Sequence, residues 1–229
     1  MKALIQNNNA LIHNLLASPM DGNAIEERSL AIIDQEAAAH SFSVDEWAVV
    51  RRMIHTTADF AMVDLVRFSS DAIAAARLAL HAGAPIFCDS NMIRAGLSLA
   101  RLQRNNAGYA VSMLHCHVAD SDVARQAKEQ HLPRSIFAVR KARTMLNGGI
   151  ALFGNAPVAL MELNRMILEE GIRPALVIAM PVGFVHVVES KDELMSLDVP
   201  WIAMPGRRGG STLAVAALHA LCMLNEKDS

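Results

Sequence analysis

No stretch of this 229-residue chain holds the roughly 18 consecutive apolar residues that a membrane-spanning helix needs. The longest apolar run, 175–185, is broken by Pro181 and Gly183. Neither sign of charge is in excess. The 21 Lys and Arg stand against 23 Asp and Glu, for a formal net charge of −2, so the basic footprint of a nucleic-acid-binding protein is missing. Cysteine is scarce: Cys88, Cys116 and Cys222 are widely spaced and form no CxxC pair. That excludes a disulfide framework and a zinc site of the usual spacing, and it fits a reducing cytoplasm. GxGxxG and GxxxxGK[ST] are both absent, so the common nucleotide-binding signatures are not met. No repeat of 20 to 50 residues and no low-complexity tract interrupts the chain.

What is present is apolar. Hydrophobic residues make up 52% of the chain and charged ones 19%, the balance of a globular protein that hides much surface, a subunit interface included. The length suits one α/β domain or at most two small ones. Residues 1–20 carry Lys2, an Asn run and an apolar patch at 10–17 that contains His13 and Asn14. They read as an extension or a small docking helix, not a signal peptide, ahead of a single domain at 21–229. The first third reads helical. Asn23 with Glu26 has capping-box spacing and opens a helix over 24–40; Ser43 with Glu46 repeats it and opens the next. A third helix over 70–81 stops at Gly83. Beyond it, five short apolar runs (85–88, 110–115, 149–153, 175–180 and 201–204) alternate with helical segments at 121–130, 135–147, 157–170, 191–197 and 211–225. Such alternation predicts an α/β fold: a mostly parallel five-stranded sheet with helices on both faces and extra N-terminal helices.

The chemistry concentrates in 51–60, Arg-Arg-Met-Ile-His-Thr-Thr-Ala-Asp-Phe. On a helix, Arg52, His55 and Asp59 share one face, Arg51 flanks it, and Trp47, Val50 and Ile54 take the core side. The same pattern also describes a solvated face with weak ion pairs. Histidine, with an unperturbed pKa nearest neutrality, is the candidate for proton transfer. The turns after the strands are the second concentration. Gly154-Asn155-Ala156-Pro157, Pro181-Val182-Gly183-Phe184 and Gly206-Arg207-Arg208-Gly209-Gly210-Ser211-Thr212 lie where doubly wound sheets bind ligands, and Pro133-Arg134-Ser135 adds an Arg at a helix start. Glycines admit a ligand to the backbone, and arginines and helix N-termini favour anions. Ser190 with Glu193 offers one more capping box. His115-Cys116-His117 puts two imidazoles on one strand face, as a metal pair or, more simply, a polar strand end.

In their joint order and spacing, several segments resemble the precorrin-8X methylmutases, a family that also has a cobalt-precorrin-8 form. They are Asp21-Gly22-Asn23-Ala24-Ile25 with Glu27-Arg28-Ser29, Arg52-Met53-Ile54-His55, Ala84-Pro85-Ile86 with Cys88-Asp89, and Arg134-Ser135. The series continues with Gly154-Asn155-Ala156-Pro157, Met180-Pro181-Val182-Gly183-Phe184-Val185, Glu189-Ser190-Lys191, and Gly206-Arg207 with Gly209-Gly210-Ser211. The resemblance implies a three-layer, flavodoxin-like fold, a homodimer and an isomerase of cobalamin biosynthesis. In that family a methyl group moves from an α-carbon of ring C to the neighbouring β-carbon of a corrin precursor, giving hydrogenobyrinic acid or its cobalt form. It implies His55 as the catalytic group at the ring C nitrogen, and Ser29, Arg52 and Arg134 as substrate contacts. Ser135, Asn155, Gly183, Arg207, Gly209 and Ser211, in the matching turns, complete the candidate substrate-binding set. No cofactor, resident metal, nucleic acid or membrane is expected, and the location expected is the cytoplasm.

The sequence departs from the family pattern at His186-Val187-Val188 and at Pro133. The Ile-His-Thr-Thr-Ala-Asp-Phe segment is closer to the cobalt-handling branch. Two other functions stay open at this point: a non-catalytic tetrapyrrole carrier, and an α/β enzyme that cradles a phosphorylated small molecule at 206–211.

Overall fold

A computed structural model describes residues 10–224. Lys2, the Asn run at 7–9 and Asn225 lie outside the described residues. The chain divides into two compact units, Met1–Ala37 and Ala38–Ser229. The first holds α1 (Ile12–Ala17), inside the apolar patch at 10–17, and α2 (Gly22–Glu36). The cap of α2 differs from the expected one. Asp21, not Asn23, is the N-cap, and its carboxylate accepts from Ala24 N–H at 2.8 Å. Both residue types are strong caps, and the acid two positions earlier takes the free N–H groups first.

In the second unit the elements run α3 (Val44–Thr57), α4 (Met62–Leu65), β1 (Arg67–Phe68), α5 (Ala72–His81), β2 (Ile86–Cys88), α6 (Asn91–Gly96), α7 (Leu99–Gln103), β3 (Leu114–His115), α8 (Ser121–Gln130), α9 (Arg134–Lys141), α10 (Arg143–Leu146), β4 (Ile150–Phe153), α11 (Pro157–Glu170), β5 (Leu176–Ala179), α12 (Val187–Met195), β6 (Trp201–Ala203) and α13 (Ser211–Met223). The sheet order is β1-β6-β5-β4-β2-β3. Strands β2 to β6 are parallel; β1 pairs antiparallel with β6. The five expected strands are thus joined by a sixth, a two-residue edge without an apolar run to announce it. At 110–115 only Leu114–His115 is strand, and Val111–Met113 forms a 3-10 turn. This edge has one neighbour, β2, and little ladder to gain.

Strand alternation divides the core. Phe87, Ala151, Phe153, Val177, Ala179 and Ala203 pack with α9, α10, α11 and α12. The alternate residues, Ile86, Leu152, Ile178 and Ile202 among them, are buried on the other face, where α5 and α13 pack. Helix α13 carries Ala214, Ala217 and Ala220, all buried, and lies against α3, α5, α6 and α7.

Local signals explain the helix ends. The Ser43 capping box is complete, with Ser43 N–H to Glu46 Oε2 at 2.8 Å and Glu46 N–H to Ser43 Oγ at 3.3 Å. Helix α5 ends in a Schellman pattern on Gly83 (φ 67°): Gly83 N–H reaches Leu80 O and Ala84 N–H reaches Ala79 O. The expected cap at Ser190 is not one. Helix α12 begins earlier, after a left-handed His186, and buried Ser190 donates inside it to Val187 O at 3.0 Å. Burial of Val187 and Leu194 draws the β-branched pair into the helix.

Helix α3 closes on Ala58, a non-glycine residue in the left-handed region (φ 52°). That conformation costs an L-residue about 1–2 kcal/mol, and glycine gives part of it back as unfolded-state entropy. Ala58→Gly is expected to raise stability by about 0.5–1 kcal/mol, read as a higher urea midpoint at unchanged slope. A lower midpoint overturns this.

Candidate functional site

Strand β2 ends at Cys88 and the chain winds outward to β3; β4 then starts the other half of the sheet on the far side of β2. This is the topological switch point, where ligands of open α/β sheets usually sit. Here it is bridged. Asp89, at the end of β2, accepts N–H bonds from Asn155 and Ala156 at the end of β4, both at 2.8 Å to Oδ2. Burial pushes its carboxyl above the usual range, against the pull of these N–H donors. Its Oδ1 is buried without a hydrogen bond.

The turns after β4, β5 and β6 interlock. Gly183 N–H donates to Arg207 O at 3.2 Å and Gly210 N–H to Met180 O at 2.8 Å. A Cβ at Gly209 would collide with the Met180 and Pro181 carbonyls. A Cβ at Gly154 would sit 2.6 Å from Ser211 Cα and 2.8 Å from Ser211 N. Both partners are backbone, so neither can yield cheaply. Gly154→Ala is expected to cost on the order of 3 kcal/mol, read by thermal or urea unfolding. A wild-type melting curve would show that the two turns are not packed this way.

The 206–211 turn is also held from outside. The buried Lys191 ammonium donates to Gly206 O at 3.0 Å and Arg208 O at 2.8 Å. Burial pulls its pKa down to about 8. Arg208 pairs with Asp59, which also accepts from Ala61 N–H at 2.9 Å. This corrects the expected helical face. Ala58 ends α3, so Asp59 lies past the helix and ties its end to the glycine-rich turn.

Beside that tie stands His55, half-buried in the last turn of α3. Among the described residues no hydrogen bond or ion pair engages its imidazole. Arg52, one turn earlier, and Thr56 line a cavity of about 310 Å³ together with Met92, Ser211, Thr212 and His219. His55, which lies between Arg52 and Thr56 in sequence, is not among the lining residues. The structure therefore gathers His55, Arg52, Ser211, Gly209, Arg207, Gly183 and Asn155 through α3 and the interlocked turns. Asn155 spends its backbone N–H on Asp89. Arg207 is exposed, its guanidinium 5.6 Å over the ring of Phe184, which is itself 83% exposed.

Arg134 and Ser135 are not brought there. They start α9, whose packing partners include α8 and α11 in the layer across the sheet from α13, with Arg134 exposed and Ser135 buried. Ser29 lies in the first unit, its hydroxyl donating to Ile25 O at 2.8 Å. His115 and His117 stack with centroids 6.1 Å apart, and His117 pairs with Asp120 at 2.9 Å. Among the described residues no three His, Cys, Asp or Glu side chains converge as a metal site would require. No helix among them is long and apolar enough to cross a membrane.

Four residues with no assigned role in the sequence reading shape this region: Asp89, Lys191, Arg208 and His219. Asp89 alone had a visible signal, an acid directly after a fully apolar strand. The others act through partners far away in the chain.

The precorrin-8X methylmutase family model matches residues 24–224. A cobalt-precorrin-8 methylmutase of Leptospira interrogans is 43% identical over 214 residues, covering 90% of this chain and 95% of that one. A precorrin-8X methylmutase of Pseudomonas aeruginosa is 39% identical over 208 residues, covering 90% and 97%. The crystal structure of a precorrin-8x methyl mutase from Thermus thermophilus superposes with a TM-score of 0.83 at 48% identity, covering 90% of this chain and 98% of that one. A match along nearly the whole chain, in sequence and in fold, means that this protein belongs to the precorrin-8X methylmutase family.

Proposed function

We propose that this protein is the isomerase of cobalamin biosynthesis that moves a methyl group within ring C of precorrin-8X or cobalt-precorrin-8. The bond from the methyl to the ring C α-carbon breaks and one to the adjacent β-carbon forms, so the atoms balance without a co-reactant. Electron demand at ring C drives the shift, and His55 raises it by donating a hydrogen bond or a proton to the ring nitrogen. The observation that carries this role is the half-buried imidazole that has no hydrogen bond or ion pair among the described residues, one turn from Arg52 and one turn before Asp59, which pairs with Arg208 of the 206–211 turn. Arg52, Arg134 and Arg207 suit the carboxylate arms of the macrocycle. Asn155, Gly183, Gly209 and Ser211 offer backbone and hydroxyl contacts, and Ser29 and Ser135 complete the proposed set.

The finer reading has four further parts. The order β3-β2-β4-β5-β6 supports a flavodoxin-like core to which β1 adds an antiparallel edge. Residues 21–229 act as one methylmutase domain after an N-terminal extension. The working form is a cytoplasmic homodimer, which gives Arg134 of one copy a route to the corrin held by the other. A carrier would bind the corrin without converting it. Incubating the purified protein separately with precorrin-8 and cobalt-precorrin-8, and following the absorbance spectrum, tests activity and metal preference together. Conversion supports the isomerase; binding with an unchanged spectrum overturns it in favour of the carrier.

A further inference from the structure

Asp89 follows β2 and is still tied to β4 on two levels. Its own N–H continues the ladder to Leu152 O at 3.0 Å, and its Oδ2 accepts from the Asn155 and Ala156 N–H groups, both at 2.8 Å. Those two donors stand at the start of α11, a 14-residue helix with no side-chain cap of its own. Ala156 precedes Pro157 and is extended (φ −109°, ψ 106°), and its methyl group cannot cap. The carboxylate from the neighbouring strand fills that place, at the end of the helix where negative charge is favoured.

At 2% exposure Asp89 cannot meet a ligand, so whatever it does for one it does through the turn it holds. Three consecutive residues of that turn are fixed. A Cβ on Gly154 would come within 2.6 Å of Ser211 Cα, and the N–H groups of Asn155 and Ala156 are both spent on Asp89. Asn155 is nevertheless exposed, and among the described residues no hydrogen bond engages its carboxamide. With its backbone donor spent, the donor that Asn155 has left is its side-chain amide.

We infer that Asp89 is a positioning residue for the methyl migration: by gripping the backbone at Asn155 and Ala156 it fixes where the Asn155 carboxamide stands, and that carboxamide donates to the corrin. The inference rests on the proposed function, in which Asn155 is a substrate contact and the corrin carries acetate and propionate arms. A side chain on an already ordered backbone loses less freedom when it binds, so a loosened turn weakens binding even with every contact residue present. A carboxylate that merely capped α11 would stabilise the fold to the same extent whatever residue stood at 155.

A double-mutant cycle separates the two roles. Asp89→Leu is close in volume and accepts no hydrogen bond; Asp89→Ser is the gentler change, leaving room for a water beside the two N–H groups. Each is combined with Asn155→Ala, and KM for precorrin-8, Kd for hydrogenobyrinic acid and the melting temperature are measured. Asn155→Ala alone is expected to raise KM and Kd about tenfold, with kcat changed less than about threefold. Either Asp89 substitution is expected to raise them about five- to tenfold with Asn155 in place and less than about twofold in the Asn155→Ala background, while lowering the melting temperature equally in both. Asp89→Asn still offers an oxygen to both N–H groups and is expected to stay within about threefold of the wild-type KM. Equal KM factors in the two backgrounds, or folded Asp89→Leu protein with wild-type KM, make Asp89 a helix cap and no more. Failure of both Asp89→Leu and Asp89→Ser to fold has the same consequence. Wild-type KM in Asn155→Ala removes the carboxamide from the site and overturns the inference, with the isomerase reading intact. Wild-type protein that binds neither corrin overturns both readings.

Discussion

His55→Ala is expected to lower conversion of precorrin-8 by about 10²–10⁴-fold while hydrogenobyrinic acid still binds, the loss typical of removing a general acid or base. The separation follows from the architecture. His55 is not among the residues that line the cavity beside Arg52, and the arginines and interlocked turns that suit the carboxylates are other residues. His55 makes no hydrogen bond or ion pair within the described residues, so its loss orphans no partner and leaves the Ser43 cap and the Asp59–Arg208 tie standing. Single-turnover absorbance measures the chemical step, and titration with the product measures binding. A variant that turns over like wild type removes His55 from the mechanism. One that loses binding and turnover equally makes it an anchor instead.

Lys191→Met is expected to lower stability and substrate affinity together. The side chains are similar in length, and the thioether cannot donate. The carbonyls of Gly206 and Arg208 each lose a hydrogen bond of 3.0 Å or less. Losing the donor to two part-buried acceptors costs about 1–1.5 kcal/mol each, and relief from burying an ammonium offsets part, leaving a net loss of about 1–2 kcal/mol. The turn bearing Arg207, Gly209 and Ser211 loses its inner support, so KM is expected to rise about tenfold even where the protein is fully folded. The pH response provides a second check. The folded pKa of about 8 lies below the ordinary lysine value of 10.5, so the unfolded chain holds more protons between them, and this group's contribution to stability grows as pH rises through that window. Above pH 8 the neutral amine keeps two hydrogens, enough for both carbonyls. Wild-type protein therefore gains stability from this group between about pH 8 and 10.5, and Lys191→Met lacks that gain. Equal urea midpoints and equal KM values would show that the ammonium does not organise the turn.

Local signals carried the helices well. Pro157, read as a first-turn proline, does open α11, and the Ser43–Glu46 box fixed the start of α3. They failed where two local solutions compete. Asp21 and Asn23 are both good caps, and only the free N–H of Ala24 decides between them. Arg67–Phe68 became a strand through pairing with Ala203 and Ile202, far along the chain. The site divides in the same way. His55, Arg52 and the glycine-rich turns are visible because charge and flexibility are concentrated in short stretches. The bonds that assemble them span long separations: 66 residues from Asp89 to Asn155 and 121 from Ser98 to His219. No helical or strand period reports such a pairing. Asp59 was misplaced for a related reason, since a spacing of i+7 holds only while the helix continues, and Ala58 ends it.

The ammonium beneath the 206–211 turn has a bearing on solution conditions. Where many proteins recruit a potassium or sodium ion to gather backbone oxygens, this chain brings its own cation on a hydrocarbon tether. Such an ion cannot be dialysed away or displaced by another from the buffer. The geometry of the turn is thereby insulated from the ionic makeup of the medium, while the partly exposed Asp59–Arg208 pair above it weakens as salt is added.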